Sequence, residues 1–250
     1  MNDWKCDLPK ENIVFETKNG ILYNCNIKDV LDKIPDNFFD LVLTDPPYKV
    51  TARGNAGNAG GMLTKKINLR GKVFENNDIE VHEWMPKVLG KLKNNTHFYI
   101  MTNHKNLFEY LKLLYELPDI YFIKSLIWDK GNKIMGQFYM SQFEYILFGR
   151  KGNAKKINNC GTSDIISIPN KKTKINGENI HDTEKPVALM ELLIKNSTQK
   201  NEVVFEPFAG SGSTLLAAEK SNRKWIGVEI DEKYCEVIKM RMLDSLESLF

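Results

Sequence analysis

Seven short apolar runs alternate with amphipathic stretches along this chain, and that alternation limits its fold more than any other feature. The runs are 20–24 (GILYN), 40–44 (DLVLT), 97–101 (HFYIM), 121–128 (YFIKSLIW), 143–149 (FEYILFG), 202–206 (EVVFE) and 224–229 (KWIGVE). Helical patterns fill 27–34, 79–93, 104–116, 185–198, 213–221 and 231–247. Strands that alternate with helices build βα units around a mainly parallel sheet, covered on both faces. The expected class is therefore α/β. The 250 residues suffice for a single large core. Residues 53–61, RGNAGNAGG, read as a mobile loop, and 150–182 as an irregular insertion.

Composition excludes several classes. Cys6, Cys25, Cys160 and Cys235 are scattered without a CxxC pair, so neither a disulfide framework nor a metal site is expected. The N-terminus, MNDWKCDLPKENIVF, has no signal-peptide core. No apolar run nears the roughly 18 residues that span a bilayer. A cytoplasmic protein with reduced thiols and no membrane partner is expected. The net charge is only +3, yet residues 49–72 and 150–176 each carry +6, which leaves −9 on the rest. An acidic body with two basic segments suits a polyanionic partner.

Residues 203–214 read VVFEPFAGSGST. A buried strand enters a tight turn with Gly210 and Gly212, then a helix. Such a turn offers backbone N–H groups and a helix N-terminus to a nucleotide-like ligand. Glu229 closes the next strand, 17 residues after Gly212. A carboxylate there can hold both hydroxyls of a ribose. The third glycine of a dinucleotide fingerprint would fall at Leu215, and Glu206 would repel a pyrophosphate. S-adenosyl-L-methionine has a ribose, an adenine and an ammonium group but no phosphate, and it fits better than NAD.

The run at 40–44 stops on Asp45-Pro46-Pro47-Tyr48. An exocyclic amine of adenine or cytosine is a poor nucleophile, because its lone pair is delocalised into the ring. Acceptors on both N–H groups localise it. Asp45 supplies one, and the carbonyl of Pro46 can supply the other. Two prolines restrict the turn and so fix that carbonyl's direction. Tyr48 offers a face on which an extruded base can stack. Alignment of amine, methyl and sulfur then remains, which is a matter of proximity and orientation.

A DPPY tetrapeptide with a separate FxGxG turn resembles the amino-group DNA methyltransferases. Residues 125–152, 181–198 (HDTEKPVALMELLIKNST) and 225–242 (WIGVEIDEKYCEVIKMRM) also resemble segments of that family. The catalytic motif precedes the glycine turn, the order of the family's circularly permuted β group. The resemblance implies the class I S-adenosylmethionine-dependent methyltransferase fold, which is Rossmann-like. Its seven strands run 3-2-1-4-5-7-6, with strand 7 antiparallel. GILYN would be strand 3, VVFE strand 1 and LVLT strand 4. It also implies a single catalytic domain.

By the same resemblance, Asp45, Pro46, Pro47 and Tyr48 surround the target base. Glu206, Pro207, Phe208, Ala209, Gly210, Gly212, Ser213 and Thr214 line the cofactor, and Glu229 holds its ribose. Thr183, Lys185 and Pro186 border the methionine end. The family usually has Asp where Glu206 stands, and Gly-Asp where Cys25-Asn26 stand; Asn26 is assigned to the adenine ring. Residues 49–75 are expected to form a mobile loop over DNA, and 150–180 a short target-recognition insertion. Lys49, Arg53, Lys65, Lys66, Arg70, Lys151, Lys155, Lys156, Lys171 and Lys172 are the candidate DNA contacts. His104 and His181 read as surface or structural groups, and 134–140 (IMGQFYM) as a loop or core edge.

The expected activity is site-specific transfer of a methyl group to N6 of adenine in flipped-out duplex DNA, as in restriction–modification. Asp45 at the head of the tetrapeptide leans to adenine. N4 of cytosine is the alternative, and structured RNA a more remote substrate. A non-catalytic DNA-binding protein on this fold and a dinucleotide-dependent oxidoreductase are rivals of other classes. The resemblance leaves room for a homodimer and for a cognate restriction endonuclease.

Overall fold

The computed structural model describes residues 4–47, 79–134, 138–153, 155–170, 174–175, 178–179 and 184–247. In chain order its strands are β1 (Ile13–Glu16), β2 (Gly20–Asn24), β3 (Phe39–Thr44), β4 (Leu92–Thr102), β5 (Ile120–Ile134), β6 (Ser141–Lys151), β7 (Ile165–Ser167), β8 (Lys174–Ile175), β9 (Glu178–Asn179), β10 (Val203–Glu206) and β11 (Lys224–Glu229). The helices are α1 (Ile27–Leu31), α2 (Val81–Gly90), α3 (Leu107–Glu116), α4 (Val187–Ser197), α5 (Ser213–Lys220) and α6 (Glu232–Glu247).

Nine strands form one sheet in the order β1-β2-β11-β10-β3-β4-β6-β5-β7. The inner seven follow the expected 3-2-1-4-5-7-6 arrangement. β6, the counterpart of strand 7, runs antiparallel to both β4 and β5. β1 adds an antiparallel edge to β2, and β7 a parallel edge to β5. The small pair β8–β9 stands apart from the sheet. The sequence pattern missed β1, whose residues are only partly buried, and the short β7, β8 and β9.

Alternation along the strands builds two hydrophobic layers. Val42, Phe205, Phe98 and Ile226 face helices α1, α2 and α3, where they meet Leu31, Trp84 and Leu114. Leu41, Leu43, Val204 and Tyr99 face the other way, toward α4, α5 and α6, and meet Leu193, Leu215 and Ile238. Every residue of β3 is buried, as befits a strand at the middle of such a sandwich.

β5 and β6 are longer than expected, because their pairing continues past the core from Trp128↔Glu144 to Ile134↔Ser141. The apolar runs mark only where these strands are buried. The ribbon projects beyond the sheet edge at which β3 ends, since Thr44 pairs with Ile100 and Thr102 with Tyr145. Phe138 and Tyr139, at its far end, are 88% and 98% exposed and belong to no core. None of the described helices is long and apolar enough to cross a membrane.

Candidate active site

Two strand ends that lie 162 residues apart in sequence meet at this edge. β3 ends in Thr44 and β10 in Glu206, and the two are parallel neighbours through Leu41↔Val204 and Val42↔Phe205. Proline follows β10 directly and β3 one residue later, after Asp45; it cannot donate to a ladder, and the pairing ends there. The Thr44 hydroxyl donates to Glu206 Oε1 at 2.6 Å, a direct tie between the Asp45-Pro46-Pro47 turn and the glycine turn. Pro46 and Pro207 are buried, and Pro47 is half-buried. Tyr48 lies outside the described residues.

Glu206 organises the glycine turn from beneath. Its Oε1 also accepts the Phe208 N–H at 3.1 Å, and its Oε2 accepts the Thr214 hydroxyl at 2.9 Å. The side chain is sealed from solvent, and burial pushes its carboxyl up to about 8, against the donors that hold it down. Because these inward bonds occupy it, Glu206 is a brace for the turn as well as a candidate cofactor residue. Gly212 has a φ of +81°, and a Cβ there would lie 2.8 Å from Ile238 Cγ1. Only glycine meets both demands. The Ala209 N–H donates to the Val228 carbonyl at 2.8 Å, and the turn is thereby pinned to β11. Ser213 and Thr214, the first residues of α5, are buried.

Glu206 sets a pH dependence. An ordinary glutamate titrates near 4.5, and this one near 8 in the folded state. Its contribution to stability is complete below the lower value and is lost as pH rises through the upper one. We expect Glu206→Gln to gain stability relative to the parent between about pH 5 and pH 9, read as urea midpoints. A difference between the two proteins that stays constant with pH would refute the burial argument.

Glu229, at the end of β11, is 8% exposed. Its Oε2 accepts the Gly210 N–H at 2.7 Å and its Oε1 the Asp231 N–H at 2.8 Å, so it spans the glycine turn and the entry to α6. Burial pushes its carboxyl above the usual range. From α6, Arg241 reaches back to the turn. It donates to the Ser211 carbonyl at 2.6 Å and pairs with Glu184 at 2.8 Å. Arg241 and Glu184 escaped the sequence reading; the juxtaposed charges of Glu184-Lys185 before Pro186 were the available signal.

A chain of alternating charges lies under Asp45. Lys185 Nζ is 2.5 Å from Asp45 Oδ2 and 3.4 Å from Glu144 Oε2, and Lys130 Nζ is 3.0 Å from Glu144 Oε1. Lys185 and Lys130 are 6% and 7% exposed. The four residues come from the end of β3, the residue before Pro186, β6 and β5. Burial pushes the Asp45 carboxyl up, Lys185 pulls it down, and Glu144 adds to the rise; the net direction is upward. Burial acts likewise on Glu144, but Lys185 and Lys130 outweigh it and hold that carboxyl below the usual range. Asp45 Oδ1 is buried and has no hydrogen-bond partner. Sequence reasoning placed Lys185 at the methionine end of the cofactor; its ammonium lies on Asp45. Glu144 and Lys130 were not anticipated, although a carboxylate within the apolar run FEYILFG is a usable hint.

The other expected residues divide. Phe208 is half-buried and packs edge-on against Trp84, with ring centroids 5.1 Å apart, so one side of its ring belongs to the core. Asn26 Oδ1 caps α1 by accepting the Lys28 N–H at 3.0 Å, which occupies its acceptor oxygen. Pro186 begins α4 at its N-cap. His104 is exposed, as expected. Thr183, His181, Lys49, Arg53, Lys65, Lys66, Arg70, Lys171 and Lys172 lie outside the described residues.

Lys151 corrects the expected DNA surface. Its ammonium donates to the carbonyls of Gly90 and Leu92, each at 2.7 Å. It pairs in register with Thr96, whereas the site is at the Thr102 end of β4, about 20 Å away at the strand rise. Lys155 is at the same remote end, where its carbonyl meets His97 Nε2 at 2.8 Å, and Lys156 adjoins it. The chain must travel along the edge through β7 before it returns to the catalytic side, so a basic segment in sequence is not one surface in space.

A family model described as DNA methylase, of the N6/N4 methyltransferase type, matches residues 39–240. The chain belongs to this family. The type II methyltransferase M2.MboI of Moraxella bovis is 27% identical over 246 residues, covering 90% of this chain and 88% of that protein. M2.DpnII of Streptococcus pneumoniae is 25% identical, covering 89% of each. Among solved structures, the cytosine-N4-specific PvuII DNA methyltransferase superposes with a TM-score of 0.74 at 19% identity, covering 94% of this DNA methylase and 90% of that chain. An M1.HpyAVI–SAM complex superposes with a TM-score of 0.62 at 23% identity, covering 88% and 98%. These structural likenesses establish the Rossmann-like methyltransferase fold of the present DNA methylase.

Proposed function

We propose that this DNA methylase transfers a methyl group from S-adenosyl-L-methionine to N6 of adenine in duplex DNA, as a modification enzyme of the restriction–modification kind. The observation that carries the reading is the 2.6 Å bond between Thr44 and Glu206, which couples the turn bearing Asp45 to the glycine turn. A donor and an acceptor held at those two turns are neighbours.

The residues present fit the cofactor. The glycine turn leaves no space for a side chain at Gly212, and Glu229 stands beside it with its carboxylate at the sheet edge. A ribose there would compete with the Gly210 N–H for that carboxylate. When bound, S-adenosyl-L-methionine supplies a methyl group already activated on sulfur. The chain's part is to orient the amine. Asp45 accepts one of its N–H bonds, the Pro46 carbonyl the other, and Tyr48 stacks on the base. No histidine base is needed, since the proton can leave after the methyl has moved.

Asp45 at the head of the tetrapeptide supports adenine over cytosine. Lys49 and the basic segment after it follow Tyr48 in sequence and suit contacts with phosphates, as does exposed Lys133 on the projecting ribbon. The deciding experiment is product identity: incubation with cofactor and unmethylated duplex DNA, digestion to nucleosides, and mass spectrometry. N6-methyladenine is the expected product. N4-methylcytosine would overturn the base assignment and keep the mechanism. No methylated base, with cofactor bound by calorimetry, would leave a binding protein or an enzyme acting on RNA.

A further inference from the structure

We infer that Lys185 is a positioning residue for methyl transfer: its ammonium holds Asp45 Oδ2, so that Oδ1 alone is presented to the incoming amine. The inference rests on Asp45 being the group that engages that amine. Three observations carry it. Lys185 Nζ lies 2.5 Å from Oδ2, the shortest contact of the charge chain. Lys185 is itself held by Glu144, and Glu144 by Lys130, so the ammonium is fixed from behind as well as in front. Among the described residues, Asp45 Oδ1 is the one carboxylate oxygen that is buried with no hydrogen-bond partner. A buried acceptor without a donor is costly, and an arriving N–H is the donor that relieves it.

The arrangement solves a geometric problem. An aspartate has two equivalent oxygens and two soft torsions, so a free carboxylate would offer its acceptors in many directions. Fixing one oxygen fixes the other. Lys185 stands immediately before Pro186, whose restricted φ at the start of α4 sets where the lysine stem begins. The charged groups facing Asp45 are then Lys185 from the α4 entry, Glu144 from β6, Lys130 from β5, and Glu206 from β10.

The test compares Lys185→Met, Lys185→Arg and Glu144→Gln with the parent, using the full chain, S-adenosyl-L-methionine and unmethylated duplex DNA. For Lys185→Met the expected result is a fall in kcat on the order of 10²-fold, the scale of a misplaced reacting group. Cofactor affinity by calorimetry should stay within about threefold. The acid limb of the rate profile should move to higher pH, because Asp45 has lost the neighbouring cation that favours its ionised form. Lys185→Arg should return the acid limb towards the parental position while kcat recovers only in part, since the guanidinium brings the charge without the same reach. Glu144→Gln leaves both Asp45 and Lys185 in place and should lower kcat by a smaller factor. It keeps the idea testable if Lys185→Met fails to fold.

Cofactor affinity that falls in step with rate would make Lys185 a cofactor residue and overturn the inference. So would an unmoved acid limb in Lys185→Met. If Asp45→Ala is inactive while Lys185→Met matches the parent, the positioning role alone fails. If Asp45→Ala is itself active, the reading of Asp45 fails with it.

Discussion

Asp45→Ala should lower the rate of methyl transfer on the order of 10³-fold, with cofactor affinity largely unchanged. The carboxylate sits where β3 leaves the sheet, with Oδ1 buried and open to a donor. Removal takes away one of the two acceptors that localise the amine's lone pair, and Glu206 cannot replace it, being held by Thr44, Thr214 and the Phe208 N–H. The glycine turn is braced by Glu206, Glu229 and Arg241 rather than by Asp45, so the cofactor site should survive. Single-turnover rates with labelled cofactor, alongside calorimetry, provide the measurement. Loss of transfer and cofactor binding together would mean that Asp45 holds the fold of this edge and that the amine argument is wrong.

Arg241→Met should cost about 3–5 kcal/mol of folding stability. The methionine keeps most of the apolar stem but removes the fork that joins Glu184 to the Ser211 carbonyl. Both side chains are buried, at 9% and 3% exposed, so Glu184 would lose the guanidinium in a dry site. The cofactor should also bind more weakly, because Ser211 lies inside the glycine turn. Adding Glu184→Gln to Arg241→Met should return part of the stability, since the buried carboxylate that lost the guanidinium is then gone. Urea unfolding gives both numbers. A loss within about 1 kcal/mol would place this pair with the surface ion pairs, which contribute little.

The sheet was legible where a strand is buried throughout. GILYN, LVLT, VVFE and WIGVE all became strands within a residue or two, because a central strand shows its burial as an unbroken apolar run. α2 stopped at Gly90 rather than at 93, and Leu92, within the expected helix, already begins β4. The ribbon was half legible: DKGNK beyond Trp128 reads as polar loop, yet the backbone pairing persists in solvent. Within the site, Asp45, Glu206, Gly212 and Glu229 announce themselves through local spacing. Lys185 was a candidate by resemblance, but its contacts with Asp45 and Glu144 were not legible, because those residues come from distant parts of the chain. Lys151 misled for the same reason. A lysine's sequence neighbours do not say whether its ammonium meets phosphate, a carboxylate or, as here, two backbone carbonyls.

The strand order also dictates when this protein can become an enzyme during its synthesis. β2 and β3 are made early but never touch; β10 and β11, made much later, slot between them. Until residues 203–229 leave the ribosome, the growing chain holds two separate sheet fragments with raw edges at β2 and β3, the kind of edge that invites wrong partners. Sealing that gap places Asp45 beside the glycine turn in the same event. A truncated chain that ends before β10 therefore lacks the glycine turn beside Asp45 and leaves both β2 and β3 with an unpaired edge.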